Sequence, residues 1–243
     1  MNLPTTSQAS QCGCARSERD NILGRIREAL RMPAPGPDAH GGAVEAPAGL
    51  PAVADHRRVL PAVGESFEAR LALFQKNALE LKADFRLVGS MDELSAQLAS
   101  LRDAEGWRKI ASHKGEITTP ISQKLGLPCL AADQPYEVTD LEACDAGLTE
   151  CDALVAQTGS VLVTSRSTGG RAISVLPPHH VVLARRAQLI AGLPEAFALV
   201  KEKYGANYPS LISFITGPSR TGDIERILVL GAHGPKKLTI FCV

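Results

Sequence analysis

The sequence predicts an α/β fold in which helices pack on a sheet. Three observations lead to this prediction. Hydrophobic residues make up 44% and charged residues 21% of the 243 residues, the composition of a globular protein. Helical and strand patterns alternate along most of the chain. The chain also ends in an apolar run, which we expect to form a strand inside the sheet.

Charge and composition argue against several classes of protein. Lysine plus arginine equals aspartate plus glutamate at 26 each, which disfavours a general nucleic-acid binder. Aromatic residues are only 4%, so stacking platforms for bases are scarce. The sequence has no run of about 18 or more apolar residues and no signal-peptide core at its start. We therefore expect a cytoplasmic protein without membrane insertion.

The six cysteines do not form a recognisable cluster or metal motif. None belongs to a C-x-x-C pair, and Cys12 and Cys14 are tightly spaced and isolated. We expect reduced cysteines and no metal site in this chain. The glycine-rich loops of nucleotide-binding proteins, G-x-x-x-x-G-K-[ST] and G-x-G-x-x-G, are also missing from the sequence.

The N-terminal part of the chain is predicted to lie outside the main domain. Residues 1–32 comprise a polar tail and a helical arm that starts near Ser17 and carries Ile22 and Ile26 on one face. Residues 33–64 are rich in Pro, Gly and Ala without periodicity, which is typical of a linker. We expect the arm to dock on its own body or on a neighbouring subunit.

Residues 65–243 are predicted to form the main domain, and its first half alternates helices with short strands. Apolar residues between Phe67 and Leu81 recur at helical spacing. Ser90-Met-Asp-Glu93 is a capping box for a second helix. Thr119-Pro120 starts a third. The predicted strands of this half are 85–88, 107–111 and 128–131.

The second half contains more strands and small-residue turns. Gly159 predicts a hairpin or tight turn between two apolar runs. A helix is predicted over residues 195–204, with Phe197, Val200 and Tyr204 on one face. The predicted strands of this half are 151–156, 161–164, 179–184, 211–215, 227–230 and 238–243.

The candidate ligand site is the stretch from Gly217 to Pro235, GPSRTGDIERILVLGAHGP. It follows an apolar strand, and open α/β sheets bind ligands beyond the carboxyl ends of their strands. Gly217 permits close backbone approach. The hydroxyls of Ser219 and Thr221, with nearby backbone N–H groups, can hold an anion. Arg220 fits a carboxylate or a phosphate bidentately.

Acid–base candidates lie in the same stretch. Asp223 and Glu225 can orient Arg220 or act as an acid or base, and His233 is a candidate proton carrier near neutral pH. The alternative is a well-capped turn in which Asp223 and Arg220 satisfy backbone groups. His179 and His180 are adjacent in a predicted strand and point to opposite faces, so they do not chelate one ion easily. The other candidate ligand contacts are Thr158, Gly159, Ser160, His179 and Gly234.

Four motifs together resemble the LUD domain, and more closely the lactate utilization protein C group, also called LutC or YkgG. They are TGS at 158–160, LP-x-H at 176–179, GPSRTGDIE at 217–225 and GAHGP at 231–235. The resemblance covers roughly residues 65–243. Mild departures are Gly222, where the family often has Ala, and Gln157 and Ser160, where Glu and Thr are frequent.

The resemblance implies a fold like that of the NagB/RpiA/CoA-transferase group, a Rossmann-type mixed sheet with flanking helices and an N-terminal helical arm. It implies a subunit that helps to oxidise L-lactate to pyruvate with iron–sulfur partner subunits, as a candidate component of an L-lactate dehydrogenase complex. We expect that this chain holds no cofactor and that it binds a small anionic ligand. The protein is also a candidate homo-oligomer.

Roles within the site remain hypotheses at this stage. We expect Arg220 with Ser219 and Thr221 to bind the carboxylate of a small acid, and His233 or Asp223 to transfer a proton. Two alternatives stay open. One is a stand-alone enzyme of the wider fold group that acts on a phosphate-, nucleotide- or CoA-bearing substrate, and the other is a non-catalytic assembly subunit.

Overall fold

The structure, a computed structural model, describes residues 18–29, 31, 60, 62–221, 229–230 and 233–243. The chain divides into two units at residue 52, and the described residues of each are treated by themselves. Within the first unit, helix α1 (Glu18–Ala29) confirms the predicted helix, and Ile22 and Ile26 on it are 59% and 49% exposed. The predicted tail and most of the predicted linker lie outside the described residues.

The centre of the second unit is a six-stranded sheet in which every pair of neighbours is parallel. Its strands are β1 (Asp84–Leu87), β2 (Ile110–Ser112), β3 (Cys129–Ala131), β4 (Ala146–Glu150), β7 (His179–Ala184) and β12 (Lys237–Cys242). Their order across the sheet is β1-β12-β7-β4-β2-β3. The α/β prediction is confirmed, and the terminal strand β12 lies inside the sheet as expected.

The described helices of the second unit are α2 (Phe67–Glu80), α3 (Met91–Glu105), α4 (Thr118–Leu125), α5 (Val138–Glu142) and α6 (Leu193–Tyr204). The first four flank this sheet, and the last, α6, covers the second sheet that is described below. The predicted cap of α3 is present, since Ser90 Oγ accepts from Glu93 N at 3.1 Å. The return bond goes from Gly89 N to Glu93 Oε2 at 2.7 Å, one residue before the usual donor. No described helix is long and apolar enough to cross a membrane.

Two apolar cores lie on opposite faces of the six-stranded sheet. Phe74 of α2 belongs to one core, and Leu98 of α3 belongs to the other. Val181 and Val182 are neighbours in β7 but belong to different cores, because successive strand residues point to opposite faces. Fully burying one such side chain stabilises the fold by about 1.5–3 kcal/mol.

A second, four-stranded sheet joins the core beside α2. Its strands are β5 (Ala153–Val155), β6 (Ser160–Thr164), β8 (Leu189–Ile190) and β9 (Ile212–Ile215), in the order β8-β5-β6-β9. β6 is antiparallel to both β5 and β9, whereas β8 is parallel to β5. The turn between β5 and β6 confirms the predicted hairpin, with Gly159 at a φ of 64°.

Helix α6 covers the outer face of the small sheet. Its buried residues are Ala196, Val200 and Tyr204. Phe197 is predicted on one helical face with Val200 and Tyr204, and its side chain is 60% exposed whereas theirs are buried. Its ring instead packs at the surface against Phe214, with 5.5 Å between ring centroids.

The stretch from Gly217 to Pro235 connects the two sheets. It leaves the small sheet at the end of β9 and enters the six-stranded sheet as β12. Between them, β10 (Arg220–Thr221) pairs with β11 (Val229–Leu230) in an antiparallel ribbon. The candidate ligand stretch is therefore a crossing between sheets rather than a loop on one sheet.

Asn77 of α2 holds the β5–β6 turn in place. Its Nδ2 donates to Ala156 O at 2.9 Å and to Gln157 O at 3.1 Å. We expect Asn77→Ala to lower the free energy of unfolding by about 1–3 kcal/mol, because both carbonyls lose a donor. Urea denaturation measures the loss. Asn207→Ala, at an exposed site, is the control, and equal losses in the two variants would contradict the prediction.

Candidate functional site

The two halves of the Gly217–Pro235 stretch contact each other. Ser219 N donates to Pro235 O at 2.9 Å. A side chain added at Gly234 would place its Cβ 3.2 Å from Ser219 Cβ. Gly217 has a φ of 87°, and a Cβ there would lie 2.6 Å from Leu81 O, so its backbone presses on the end of α2. These close contacts explain why glycine occupies positions 217 and 234.

The two residues that follow the stretch contact the predicted LP-x-H segment. Lys236 N and Lys237 N both donate to Pro178 O, at 2.8 and 3.2 Å. Lys237 begins β12 and is paired with His179, which begins β7. The LP-x-H segment and the residues that follow GAHGP therefore meet at the amino ends of two neighbouring parallel strands.

The TGS turn approaches the same region from the small sheet. Ser160 Oγ lies 2.8 Å from Thr216 Oγ1, one residue before Gly217. A Cβ on Gly159 would lie 2.8 Å from Asn77 Cβ, so the turn packs closely on α2. Thr158 Oγ1 is buried and has no hydrogen-bond partner in the described part of the chain.

The structure thus joins some of the predicted site residues directly and leaves others at the surface. The segments that carry Thr158, Gly159, Ser160, Gly217, Ser219, Gly234 and His179 are linked by the contacts above. The side chains of Arg220 and His233 are exposed. Asp223, Glu225 and the side chain of Thr221 lie outside the described residues.

The stretch lies beside strand ends that belong to different sheets. It follows the carboxyl end of β9, as predicted, and β9 belongs to the small sheet. His179 and Lys237 stand instead at the amino ends of β7 and β12. The general rule for open α/β sheets concerns the carboxyl ends of parallel strands and therefore does not apply to this edge.

A cavity of about 240 Å³ lies at this amino edge. We call it the basic cavity, because its lining includes four cationic side chains and two carboxylates: Lys82, Arg86, Lys236, Lys237, Asp84 and Glu105. Both carboxylates are paired, Asp84 with Arg86 at 2.8 Å and Glu105 with Lys237 at 2.6 Å. Lys82 and Lys236 have no ion-pair partner among the described residues, so the cavity has an excess of positive charge.

Lys82 lies at the rim, directly after the end of α2. Its φ of 66° is the left-handed conformation in which many helices end. Lys82 N donates to Leu79 O at 3.0 Å and Ala83 N donates to Ala78 O at 2.9 Å, so this conformation closes the helix. Lys82 and Asp84 also line a wider groove of about 560 Å³ that runs past Leu79 and Phe85, so the basic cavity adjoins an apolar groove.

His179 lines the basic cavity but does not contribute charge to it. Its Nε2 lies 2.9 Å from Thr239 Oγ1, and its ring meets the Trp107 ring edge to face at 5.2 Å. Burial lowers the pKa of His179 to about 4. His180, on the opposite face, lies 2.8 Å from Thr149 Oγ1, and burial lowers its pKa to about 3. Both rings are neutral at neutral pH, so the positive charge comes from lysine and arginine.

Glu150 stands at the carboxyl edge, where the strand order reverses between β2 and β4. Its Oε1 accepts from Ile117 N at 2.8 Å and Thr118 N at 3.1 Å, at the amino end of α4. A carboxylate is favoured at this helix end. Glu150 N donates to His113 Nε2 at 3.1 Å, so His113 Nδ1 carries the proton and donates to Lys114 O at 3.2 Å. The carboxylate of Glu150 therefore occupies this switch point.

Sequence reasoning missed the lysines of the basic cavity and the pair of Glu150 and His113. The lysines come from distant parts of the chain, and no local motif marks them. A signal for His113 was available, because it follows a short apolar strand and precedes the predicted helix start at Thr119. In the described part of the chain, no three His, Cys, Asp or Glu side chains are grouped to hold a metal ion.

Known proteins share this architecture. A family model described as LUD domain matches residues 71–243. A crystal structure of a DUF162 family protein from Deinococcus radiodurans superimposes with a TM-score of 0.58 and 21% identity, over 74% of this chain and 99% of that one. At 21% identity, the similarity to this crystal structure shows the fold alone.

Several similar proteins carry the name lactate utilization protein C, among them the following three. The one from Shouchella clausii is 35% identical over 106 residues, covering 43% of this chain and 46% of that protein. The one from Anoxybacillus flavithermus is 37% identical over 102 residues, covering 42% and 45%. The one from Bacillus subtilis is 32% identical over 115 residues, covering 46% and 48%. The chain thus spans about half the length of the curated relatives that it matches.

Glu150 is expected to stabilise the fold through the amino end of α4. We predict that Glu150→Ala lowers the free energy of unfolding by about 1–3 kcal/mol, because two buried N–H groups lose their acceptor. Glu150→Gln keeps an acceptor oxygen and should lose less. Glu137→Ala, at an exposed position, is the control. Equal urea midpoints for Glu150→Ala and the control would refute this role.

Stability should fall in acid because of the buried histidines. Burial lowers the pKa of His113, His179 and His180, whereas an unfolded histidine titrates near ~6.5. Below that pH the unfolded chain binds protons that the folded chain does not. The contribution of these histidines to the free energy of unfolding is therefore fully present above pH ~6.5. It falls by up to about 1 kcal/mol per pH unit for each histidine as the pH drops towards the pKa values of the folded protein.

Urea denaturation across pH ~7.5 to ~4.5 tests this dependence. His180→Gln should flatten the slope, because one buried site no longer titrates. His233→Gln, at an exposed position, should leave it unchanged. An identical slope in His180→Gln and the wild type would count against the prediction.

Proposed function

The chain belongs to the LUD domain family, and from this premise we propose that it is a subunit of an L-lactate utilization system that binds a small carboxylate. The likeness to proteins named lactate utilization protein C supports the role in lactate utilization. In this proposal L-lactate is oxidised to pyruvate. The two electrons pass to partner subunits that carry iron–sulfur clusters.

The basic cavity is the observation on which the proposal rests. It lies beside the contact of the LP-x-H segment with Lys236 and Lys237, which follow the Gly217–Pro235 stretch. Lys82 and Lys236 have no ion-pair partner among the described residues and can pair with an anion, and a charge-assisted hydrogen bond contributes about 1.5–3 kcal/mol. Its volume of about 240 Å³ is below the ~300–1,000 Å³ of pockets for drug-sized ligands, which suits a small acid.

The motif residues supply further contacts in this proposal. Arg220 follows Ser219 directly, and its exposed guanidinium is the proposed bidentate partner of the carboxylate. The hydroxyls of Ser219 and Thr221 assist it. His233 or Asp223 is the proposed proton carrier, and the neutral, buried His179 forms part of the wall instead.

The proposal assigns the clusters to partner subunits because of the cysteines of this chain. The six cysteines include no C-x-x-C pair. Cys144, Cys151 and Cys242 are buried, and burial raises the pKa of each thiol, that of Cys242 to about 11. Cluster ligation needs thiolates, and these three side chains are held as thiols.

Calorimetry with L-lactate and pyruvate tests the binding site. We expect one of these acids to bind the full chain, and Lys236→Ala and Arg220→Ala each to weaken binding about tenfold or more, a loss of ~1.4 kcal/mol. Lys201→Ala removes an exposed lysine of α6 outside the cavity and should bind like the wild type. Circular dichroism confirms that each variant is folded. Unchanged binding in Lys236→Ala and Arg220→Ala would exclude this site.

Growth on L-lactate tests the physiological role. In a host that lacks the gene, the wild type and Lys201→Ala should restore growth, and Arg220→Ala should not. Pull-down of the partner subunits should succeed with all three proteins. Loss of the partners by Arg220→Ala with carboxylate binding intact would instead favour an assembly role. Tight binding of ATP or CoA without binding of either acid would favour a stand-alone enzyme.

A further inference from the structure

We propose a second ligand site, for a small zwitterion of the α-amino-acid class, at the opposite edge of the six-stranded sheet. A cavity of about 290 Å³ lies beyond the last residues of β2 and β3, under the first turns of α4. We call it the carboxyl-edge cavity. The lining residues that matter here are Ser112, His113, Lys114, Thr119, Ser122 and Asp133.

Unused hydrogen-bonding groups line this cavity. Ser112 is only 2% exposed, and its hydroxyl has no partner among the described residues. Thr119 Oγ1 accepts from Gly115 N at 3.0 Å, which leaves its O–H free to donate. Ser122 Oγ donates to Thr119 O at 3.0 Å, which leaves its lone pairs free to accept. A buried polar group without a partner is costly, so a polar ligand would relieve Ser112.

The charges of the cavity are balanced rather than basic. Lys114 and Asp133 both line it, and neither side chain has an ion pair or hydrogen bond within the described structure. A simple anion would be repelled by Asp133, and a simple cation by Lys114. A ligand with one ammonium and one carboxylate can satisfy both charges, which is the charge pattern of an α-amino acid.

His113 makes this a binding site rather than a reaction centre. Both of its ring nitrogens are occupied, by Glu150 N and by Lys114 O. Burial lowers its pKa, so the ring stays neutral near neutral pH. A Cβ on Gly169 would lie 2.3 Å from His113 Cβ, so the loop that follows β6 packs tightly against this residue. The ring is therefore a fixed wall without a free nitrogen for proton transfer.

The size of the cavity limits the ligand to a small amino acid. Its volume is below the ~300–1,000 Å³ that holds drug-sized ligands. The free donor of Thr119 and the acceptor of Ser122 suit a ligand that also carries a hydroxyl. Among common zwitterions of this size we favour L-serine, with L-alanine as its hydroxyl-free counterpart.

Calorimetry on the full chain with L-serine, L-alanine, L-lactate and alaninol tests the charge requirement. L-alanine, L-lactate and alaninol share a three-carbon skeleton but carry a zwitterion, an anion and a cation. We expect the zwitterions to bind, with Asp133→Asn and Lys114→Gln each weakening binding about tenfold or more. Ser112→Ala should weaken it several-fold. Glu142→Gln, an exposed carboxylate outside the cavity, should have no effect.

The outcome separates this site from the carboxylate site. Zwitterion binding should persist in Lys236→Ala, and the amide resonances of Ser112, Lys114 and Thr119 should shift on titration. The proposal is overturned if neither amino acid binds at millimolar concentration. It is also overturned if L-lactate competes equally with L-alanine here, or if Asp133→Asn binds like Glu142→Gln. Failure of lactate-dependent growth in Arg220→Ala has no bearing on it.

Discussion

The parallel pairing of β7 with β12 is the constraint on which the rest of the domain depends. It runs in register from His179 opposite Lys237 to Ala184 opposite Cys242. This register brings the backbone of Lys236 to Pro178 O, so two motifs far apart in sequence meet at one edge. The same pairing separates the two cores, because alternate residues of both strands point to opposite faces. Sliding either strand by one residue would lose both arrangements.

The two edges of the sheet differ because one already contains its own anion. Open α/β sheets usually bind anions at the switch point, where backbone N–H groups of a helix are available. Here Glu150 takes the N–H groups of Ile117 and Thr118. A ligand carboxylate at these two N–H groups would have to displace the Glu150 side chain. The basic cavity at the amino edge offers Lys82 and Lys236, which have no ion-pair partner within the described structure.

The elements that have strong local signals were predicted from the sequence. The elements whose residues are determined by close packing with distant parts of the chain were missed. The strand β7, the strand β12 and the turn at Gly159 were predicted, because β-branched runs and glycine mark them. The central strand β4 was missed, since AGLTE is not an apolar run. Gly147 is needed there because a Cβ would lie 2.5 Å from Ile173 O. The basic cavity was missed for a related reason, since only the register brings Lys82 and Lys236 together.

In the two proposals, charge alone distinguishes molecules with the same carbon skeleton. L-lactate and L-alanine differ by a hydroxyl and an ammonium on the same carbon. The proposed carboxylate site has an excess of lysines, which disfavours that ammonium, whereas Asp133 in the proposed zwitterion site pairs with it. His113 and His179, which line the two cavities, do not alter this preference near neutral pH, because burial lowers the pKa of each and keeps the rings uncharged. In both proposals, selectivity therefore rests on lysine and aspartate side chains rather than on these histidines.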